Sequence, residues 1–106
     1  MSYYVKDKND FDNKLKEIGD GPLIVVEFYA NWCGPCKQIL PKVEALFKEY
    51  PDLNLLKIDV DECEDLTTEY EIQAMPTFVF IKNNKTLDTF TGANIDQVKK
   101  FIIKYK

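Results

Sequence analysis

Residues 23–36 read LIVVEFYANWCGPC, an apolar run that leads into two cysteines spaced three apart. Residues 23–29 are β-branched, aromatic or leucine except for Glu27, which is typical of a central strand covered on both faces. Apolar side chains recur at helical spacing after Cys36, so a long helix begins near the cysteines. This strand, turn and helix predict that Cys33 lies at the helix start and Cys36 one turn further in.

Length and composition describe one ordinary globular domain, which we assign to residues 1–106. The chain has 45% hydrophobic and 30% charged residues, with a formal net charge of −4. Mild acidity without a basic run argues against a protein that tracks nucleic-acid phosphates. No apolar stretch is long enough to span a bilayer, and residues 1–6 lack the apolar core of a signal peptide. We therefore expect a cytoplasmic monomer with no nucleic-acid or membrane partner.

The rest of the chain alternates short strands and helices. Strands are predicted at residues 3–5, 23–29, 53–58, 77–82 and 86–90. Helices are predicted at residues 10–18, 33–50, 61–70 and 94–105, the first capped by Asn9 or Asp10 and the last by Asn94. The order β-α-β-α-β-α-β-β-α implies right-handed crossovers and helices on both faces of a largely parallel sheet, with a terminal antiparallel hairpin. The expected fold class is therefore α/β, a three-layer α/β/α sandwich around a central mixed five-stranded sheet.

The two cysteines of residues 23–36 carry the chemistry. Unpaired N–H groups and the positive end of the helix dipole face Cys33 and stabilise its thiolate, which is the attacking species in disulfide exchange. A spacing of three on a helix brings Cys36 within bonding distance. Cys33 would form a mixed disulfide with a substrate, and Cys36 would then resolve it. Gly34 and Pro35 fit this role, because proline preorganises the first helical turn and neither residue obstructs an approaching polypeptide.

The cysteine and histidine counts argue against a metal site. The chain has three cysteines and no histidine, whereas a closed structural zinc site needs four ligands of these types. Neither half a zinc site nor two unreactive core thiols explains a Cys-x-x-Cys set between a buried strand and a helix start. We expect no metal and no bound cofactor, because the dithiol is itself the redox group.

The residues around the dithiol resemble a known family. Residues 32–37, WCGPCK, are identical to the active-site signature of thioredoxins. The resemblance spans essentially the whole chain, includes Pro41, the Met-Pro-Thr of residues 75–77 and Gly92, and is closest to thioredoxins of the eukaryotic cytosolic type. It implies the thioredoxin fold and a protein-disulfide reductase recharged by an NADPH-dependent thioredoxin reductase. The electron acceptors that it implies are peroxiredoxins, methionine sulfoxide reductases and ribonucleotide reductase.

The same resemblance assigns a substrate surface around the dithiol. It implies a cis peptide bond between Met75 and Pro76, which leaves the Met75 backbone free to pair with an extended substrate. Considered alone, Pro76 is equally a plain strand-start proline, and Met75 and Ala93 are equally core residues. A flat apolar surface suits many protein substrates without reading their side chains. We call the candidate residues the substrate collar: Trp32, Gly34, Pro35, Met75, Pro76, Gly92 and Ala93.

Glu27 interrupts the apolar strand six residues before Cys33, where thioredoxins usually carry a buried aspartate. A buried carboxyl has a raised pKa and can relay protons, and the resemblance implies that it helps to deprotonate Cys36. Lys57 stands where the family places a partner lysine, so we expect it to form an ion pair with Glu27. A purely structural pair, and a glutamate that reaches solvent, stay open as alternatives. The candidate catalytic residues are Cys33, Cys36, Glu27 and Lys57.

Cys63 is the third cysteine and lies among the carboxylates of residues 59–65. The helix start favours its thiolate, while the negative charges oppose it. Many animal thioredoxins carry regulatory cysteines in this region, but Tyr70 and Ala74 stand here where the usual partner cysteines would be. Cys63 is therefore either a candidate regulatory residue or, as we favour, an unreactive thiol.

Two alternatives to a reductase stay open. A disulfide isomerase-like oxidant would work in an oxidising compartment, and the missing signal peptide and the absence of Cys-Gly-His-Cys argue against it. The other alternative is a redox-gated binding module on the thioredoxin fold. Replacing Cys33 by serine would separate the binding module from a reductase, because the replacement abolishes reduction whereas a pure scaffold would keep its function.

Overall fold

The computed structural model describes residues Met1–Lys106 and contains five strands and four helices in the predicted order. The strands are β1 (Ser2–Tyr4), β2 (Ile24–Tyr29), β3 (Asn54–Asp59), β4 (Thr77–Lys82) and β5 (Lys85–Thr91). The helices are α1 (Lys8–Ile18), α2 (Gly34–Glu49), α3 (Glu64–Glu69) and α4 (Ile95–Tyr105). None of these helices is long and apolar enough to cross a membrane. The predicted order of elements is confirmed.

The sheet has the strand order β1-β3-β2-β4-β5, which places β2 at its centre. β3 runs parallel to both β1 and β2, whereas β4 is antiparallel to β2 and to β5. The predicted mixed five-stranded sheet is therefore confirmed. In this register Glu27 on β2 lies opposite Lys57 on β3 and opposite Phe78 on β4.

Two apolar clusters cover the two faces of the sheet. On one face Phe11 of α1 and Leu66 of α3 pack in the same cluster as Val26 of β2. On the other face Val43 of α2 and Val98 of α4 form the second cluster with the neighbouring positions of the strands. Successive side chains of a strand point to opposite faces, so an apolar run such as β2 fills both clusters. The α/β/α sandwich of the thioredoxin fold is confirmed.

Helix α1 begins earlier than predicted. Neither Asn9 nor Asp10 is its cap, because Asp7 is the N-cap and its carboxylate accepts the N–H of Asp10 at 2.8 Å. The Asp10 carboxylate turns back and accepts the N–H of Lys6 at 2.9 Å and the hydroxyl of Tyr3 at 3.0 Å. Such a reciprocal pair closes a helix start. The Asp10 carboxylate thus bonds to residues that precede the helix and does not act as its N-cap.

Helix α3 is shorter than the predicted 61–70. Its first residue is Glu64, and Cys63 is its N-cap. The carboxylate of Asp59 accepts the N–H of Asp61 at 2.9 Å, and the carbonyl of Asp59 accepts the next two N–H groups. These bonds fold residues 60–63 into a turn, so Asp61 and Glu62 lie outside the helix, whereas Glu64 and Asp65 form its acidic first turn.

The β4–β5 hairpin turns through Asn83 and Asn84, whose φ angles are 54° and 64°. Two left-handed residues give a turn that matches the right-handed twist of the flanking strands. The N–H of Gly21 donates to the Asn83 side-chain oxygen at 2.9 Å and ties the loop before β2 to this turn. The predicted hairpin is confirmed.

Candidate functional site

Cys33 is the N-cap of α2, with extended backbone angles of φ −87° and ψ 110°. Its sulfur accepts the backbone N–H of Cys36 at 3.2 Å. Cys33 and Cys36 are joined by a disulfide, with Cα atoms 5.3 Å apart. Once that disulfide is reduced, the N–H donor and the positive end of a 16-residue helix favour negative charge on the Cys33 sulfur. The pair therefore has the geometry of a reversible dithiol with two unlike sulfurs.

The local sequence explains why α2 begins at this point. The N–H of Cys33 donates to the carbonyl of Ala30 at 3.2 Å, which closes the turn after β2, and the N–H of Lys37 donates to the backbone carbonyl of Cys33 at 3.2 Å. Pro35 sits in the first helical turn, where a backbone donor has no partner in the helix. Gly34 and Pro35 are exposed, and no atom lies within 4 Å of a Cβ added to Gly34. An approaching chain meets no obstruction on this side of the disulfide.

The loop before β4 forms the opposite side of the site. The Met75–Pro76 peptide bond is cis, as the resemblance implies. The Met75 carbonyl oxygen lies 3.8 Å from the sulfur of Cys33. The N–H of Gly92 donates to the Pro76 carbonyl at 2.9 Å, and the φ of +134° at Gly92 favours a glycine. Ala93 is exposed beside it.

Trp32 is exposed to 68% and flanks the disulfide in the chain. Its indole N–H donates to the carboxylate of Asp61 at 2.9 Å, across 29 residues of sequence. Asp59 accepts the N–H of Asp61 and an amide N–H of Asn31 at 3.4 Å, which braces the loop that holds the indole. Asp61 is a residue of the site that the sequence did not predict, because nothing local distinguishes it from the other acidic residues of its segment.

Glu27 is buried, with 1% of its surface exposed, and its Oε1 has no hydrogen-bond partner. Burial raises the pKa of Glu27 to about 7, although Lys57 lowers it and Glu44 raises it further. The predicted direct ion pair with Lys57 is wrong, because the Lys57 ammonium pairs with Glu44 on α2 and stacks on the Tyr4 ring at 3.8 Å from its centroid. A partly hydrated carboxylate is the better partner, since it avoids burying two charges at once. The alternative of a solvent-exposed Glu27 is also wrong.

Glu27 and Cys36 line one cavity of about 310 Å³ between β1, β2, β3 and the start of α2. Its walls are largely apolar and include the rings of Tyr4 and Tyr29. Burial raises the pKa of Tyr29 to about 12, so its phenol stays neutral at physiological pH. The cavity therefore joins the second cysteine of the pair to a carboxyl that titrates near neutrality.

Cys63 lies in a different environment. It is free, buried to 1% exposure and the N-cap of α3, but it makes no capping bond with its side chain. Its thiol instead donates to the carbonyl of Lys6 at 3.6 Å. Burial raises the pKa of this thiol, and the carboxylates of Asp65 and Glu62 raise it further. These surroundings favour the unreactive-thiol interpretation.

The fold and the site together define a class: a dithiol–disulfide oxidoreductase built on a mixed α/β sandwich. The model of the family described as Thioredoxin matches residues 2–104. Thioredoxin-T of Drosophila melanogaster is 47% identical over 99% of this chain and 67% of its own length, and a thioredoxin of Geodia cydonium is 45% identical over the full length of both. The crystallographic structure of Fasciola hepatica thioredoxin has a TM-score of 0.94 and 45% identity, covering 98% of this chain and 99% of that one. The chain belongs to the thioredoxin family.

Family membership together with the Cys33–Cys36 pair establishes the general activity. The protein is a protein-disulfide reductase with a redox-active Cys-x-x-Cys. Its substrates are disulfide-containing proteins, and a reductase restores its dithiol. Neither the isomerase-like oxidant nor the redox-gated binding module is favoured by the comparisons.

Proposed function

We propose that the protein reduces its targets with Cys33 as the attacking thiolate and Cys36 as the resolving thiol. The observation that carries this proposal is the contact at the start of α2, where the N–H of Cys36 donates to the Cys33 sulfur at 3.2 Å. A thiolate at Cys33 keeps that donor and the favourable end of the helix dipole. Cys36 instead lines the cavity that it shares with Glu27, so it acts second.

The exchange proceeds in two displacements with two electrons transferred. The Cys33 thiolate attacks one sulfur of the target disulfide, a bond forms between the two proteins, and the other target sulfur leaves as a thiolate. The Cys36 thiolate then attacks the Cys33 sulfur and displaces the remaining target sulfur. The target leaves as a dithiol, and the Cys33–Cys36 disulfide is formed.

Glu27 serves as the base for the second displacement. It lines the same cavity as Cys36, and its Oε1 has no hydrogen-bond partner that would compete for the proton. With a pKa of about 7, the carboxyl populates both its forms at neutral pH, which suits an acid–base group. Lys57 lowers that pKa and so modulates the base.

The substrate collar binds an extended segment of the target beside the attacked disulfide. Trp32 supplies an exposed apolar surface, and the Met75 backbone next to Cys33 is available to pair with a substrate strand. Gly34 and Pro35 leave the approach open, and Gly92 and Ala93 extend the surface. Pro76 is itself buried, so it contributes by holding the Met75 backbone in place. Contacts of this kind read backbone and shape, so they accept many different proteins.

Family membership supports a proposal for the setting of the reaction. We place this protein in the cytoplasm as a monomeric single domain of residues 1–106, recharged by an NADPH-dependent thioredoxin reductase. Its targets there are peroxiredoxins, methionine sulfoxide reductases and ribonucleotide reductase. It carries electrons between the reductase and these proteins without a cofactor of its own.

The central test is NADPH oxidation in the presence of thioredoxin reductase, with insulin as the disulfide acceptor. We expect turnover that depends on this protein and that is absent in Cys33→Ser. Cys36→Ser retains the mixed disulfide on Cys33, so mass spectrometry of the trapped species identifies the targets. Absence of turnover with several thioredoxin reductases would defeat the proposal.

The role of Glu27 is tested on the second displacement alone. Decay of a preformed mixed disulfide on Cys33 should be slower by about tenfold or more in Glu27→Gln. Glu49→Gln is the matched control, because Glu49 is exposed on α2. A decay rate that is the same in Glu27→Gln and in the native protein across neutral pH contradicts the assignment.

A further inference from the structure

Lys57 stands between two carboxyl groups but is bound to only one of them. Its residue surface is 4% exposed, and it lies opposite Glu27 in the β2–β3 register. Its ammonium nevertheless pairs with Glu44 on α2 and contacts the face of Tyr4. Glu27 is left with an Oε1 that no donor reaches.

Glu44 is itself held from the outer side. The hydroxyl of Ser2 donates to both carboxylate oxygens of Glu44, at 3.2 Å and 3.3 Å. The Glu44 side chain is 33% exposed, so it keeps part of its hydration. Glu44 therefore offers Lys57 a fixed partner on the solvent side of the sheet.

We propose that Glu44 is a positioning residue for the reduction reaction: by holding the Lys57 ammonium on the solvent side, it leaves Glu27 without a counter-ion and free to exchange a proton with Cys36. This inference rests on the proposed role of Glu27 as the base. It gives a function to a residue that lies outside the dithiol, the cavity and the substrate collar.

Glu44 acts on Glu27 in two ways, and both raise the pKa of Glu27. Its negative charge directly disfavours a second negative charge on Glu27, and this raises the pKa of Glu27. It also engages the ammonium that would otherwise lower that pKa by moving toward Glu27. A buried ammonium without a partner is unfavourable, so in the absence of the Glu44 charge Lys57 turns to the nearest remaining carboxyl.

Few other titratable or charged groups surround Glu27. The neighbour on β4 is Phe78, which carries no charge. The titratable or charged groups that line the cavity or enter the pKa of Glu27 are Tyr4 on β1, Tyr29 on β2, Lys57 on β3, and Cys36, Lys37 and Glu44 on α2. Only Lys57 and Glu44 among these shift the pKa of Glu27.

The direct test is a carbon-13 NMR titration of the Glu27 carboxyl in the oxidised full-length protein, with the signal assigned by its loss in Glu27→Gln. We expect the midpoint to fall by about one pH unit in Glu44→Gln. Glu49→Gln, which removes a charge from an exposed position of the same helix, should leave it in place. An unchanged midpoint in Glu44→Gln overturns the inference.

A double-mutant cycle tests whether Glu44 acts through Lys57. Lys57→Met alone should raise the midpoint of Glu27, because the attracting ammonium is gone. In that background Glu44→Gln should shift the midpoint by less than half of its effect in the native protein. Equal shifts in the two backgrounds contradict a positioning role for Glu44.

The pH profile of mixed-disulfide decay separates this inference from the proposed function. In Glu44→Gln its midpoint should fall together with the NMR midpoint. If the NMR midpoint falls and the decay profile does not follow, Glu27 is not the base, and the proposed function is wrong on that point although Glu44 controls Glu27. If the NMR midpoint stays in place, the inference fails, whatever the decay profile shows.

Discussion

Cys33 and Cys63 are both N-caps of helices, yet only one of them is at the redox site. The sulfur of Cys33 accepts an N–H from its own helix. Cys33 caps a helix of 16 residues and is next to an exposed tryptophan in the chain. The sulfur of Cys63 accepts no such bond and points at a backbone carbonyl. Cys63 caps a helix of only six residues.

A helix start alone therefore does not make a reactive thiol. The N–H groups must point at the sulfur, because a thiol that donates to a carbonyl is stabilised in its protonated form. Nearby carboxylates must be few, whereas those of Asp65 and Glu62 raise the pKa of Cys63. Access differs less, since Cys33 is 6% exposed and Cys63 1% in the oxidised protein.

The largest effect expected from this difference is on turnover. Cys33→Ser should abolish insulin reduction, because no attacking thiolate is left. Cys63→Ser should reduce insulin at the native rate within about twofold, since its surroundings keep it out of the exchange. The coupled NADPH assay measures both. A severe loss of turnover in folded Cys63→Ser would show that Cys63 takes part in the exchange.

The alkylation rates of Cys33 and Cys63 can be compared within one protein. In the reduced protein at neutral pH, iodoacetamide should modify Cys33 at least about 100-fold faster than Cys63, because alkylation needs an accessible thiolate. Peptide mass spectrometry against time gives each rate. In denaturant the two rates should converge, which serves as the control. Similar rates in the native state would show that the two helix starts are equivalent.

The carboxyl groups near the two sites should differ in how they affect stability. Glu27 has its pKa raised from 4.5 to about 7. Between these values the unfolded chain releases this proton and the folded chain keeps it, so the free energy of unfolding falls as pH rises and then levels off above about pH 7. The integrated loss is roughly 3 kcal/mol.

Glu27→Gln should remove this loss, because a glutamine does not ionise. Relative to the native protein, its free energy of unfolding should rise by roughly 3 kcal/mol between about pH 4 and pH 8. Urea denaturation of the oxidised proteins measures this. Glu62→Gln, at an exposed carboxylate beside Cys63, should show no comparable rise. A difference between Glu27→Gln and the native protein that is independent of pH contradicts the raised pKa.

The smallest expected effect concerns Asp61, which lies between the two sites in space and sequence. Asp61→Ala removes the acceptor of the Trp32 indole N–H. A net hydrogen-bond contribution of about 1 kcal/mol corresponds to a rise in KM for insulin of about fivefold, with kcat nearly unchanged. Trp32 fluorescence should change with it, while the alkylation rate of Cys63 should not. An unchanged KM would show that the orientation of Trp32 does not contribute to substrate binding.

The order of elements, the covered central strand and the dithiol at a helix start could be predicted because each depends on local sequence. Alternation, helical periodicity and turn residues such as Asn83 and Asn84 act over a few positions. The cis bond before Pro76 followed from resemblance, since the sequence alone left it even with an ordinary strand start. Predicting these features therefore required little information about long-range contacts.

The partners of polar side chains could not be predicted. Lys57 had a buried carboxyl opposite it, but the pair that forms uses Glu44, which α2 brings over the sheet edge. Asp61 and Trp32 meet only because the loops after β2 and β3 end side by side. Which of several carboxylates a cation or an N–H selects depends on tertiary packing and hydration, and these leave no periodic signal in the sequence.

Strand β2 is paired along both of its edges, with β3 and with β4. Edge strands open by local fluctuation, whereas a strand paired on both sides exchanges its amide hydrogens with solvent mainly when the whole sheet opens. Glu27 lies on this strand, and Cys33 follows its last residue by four positions. The disulfide that breaks and reforms in every cycle therefore closely follows the strand that we expect to exchange its amide hydrogens most slowly, so fluctuations of the sheet edges should leave its geometry intact.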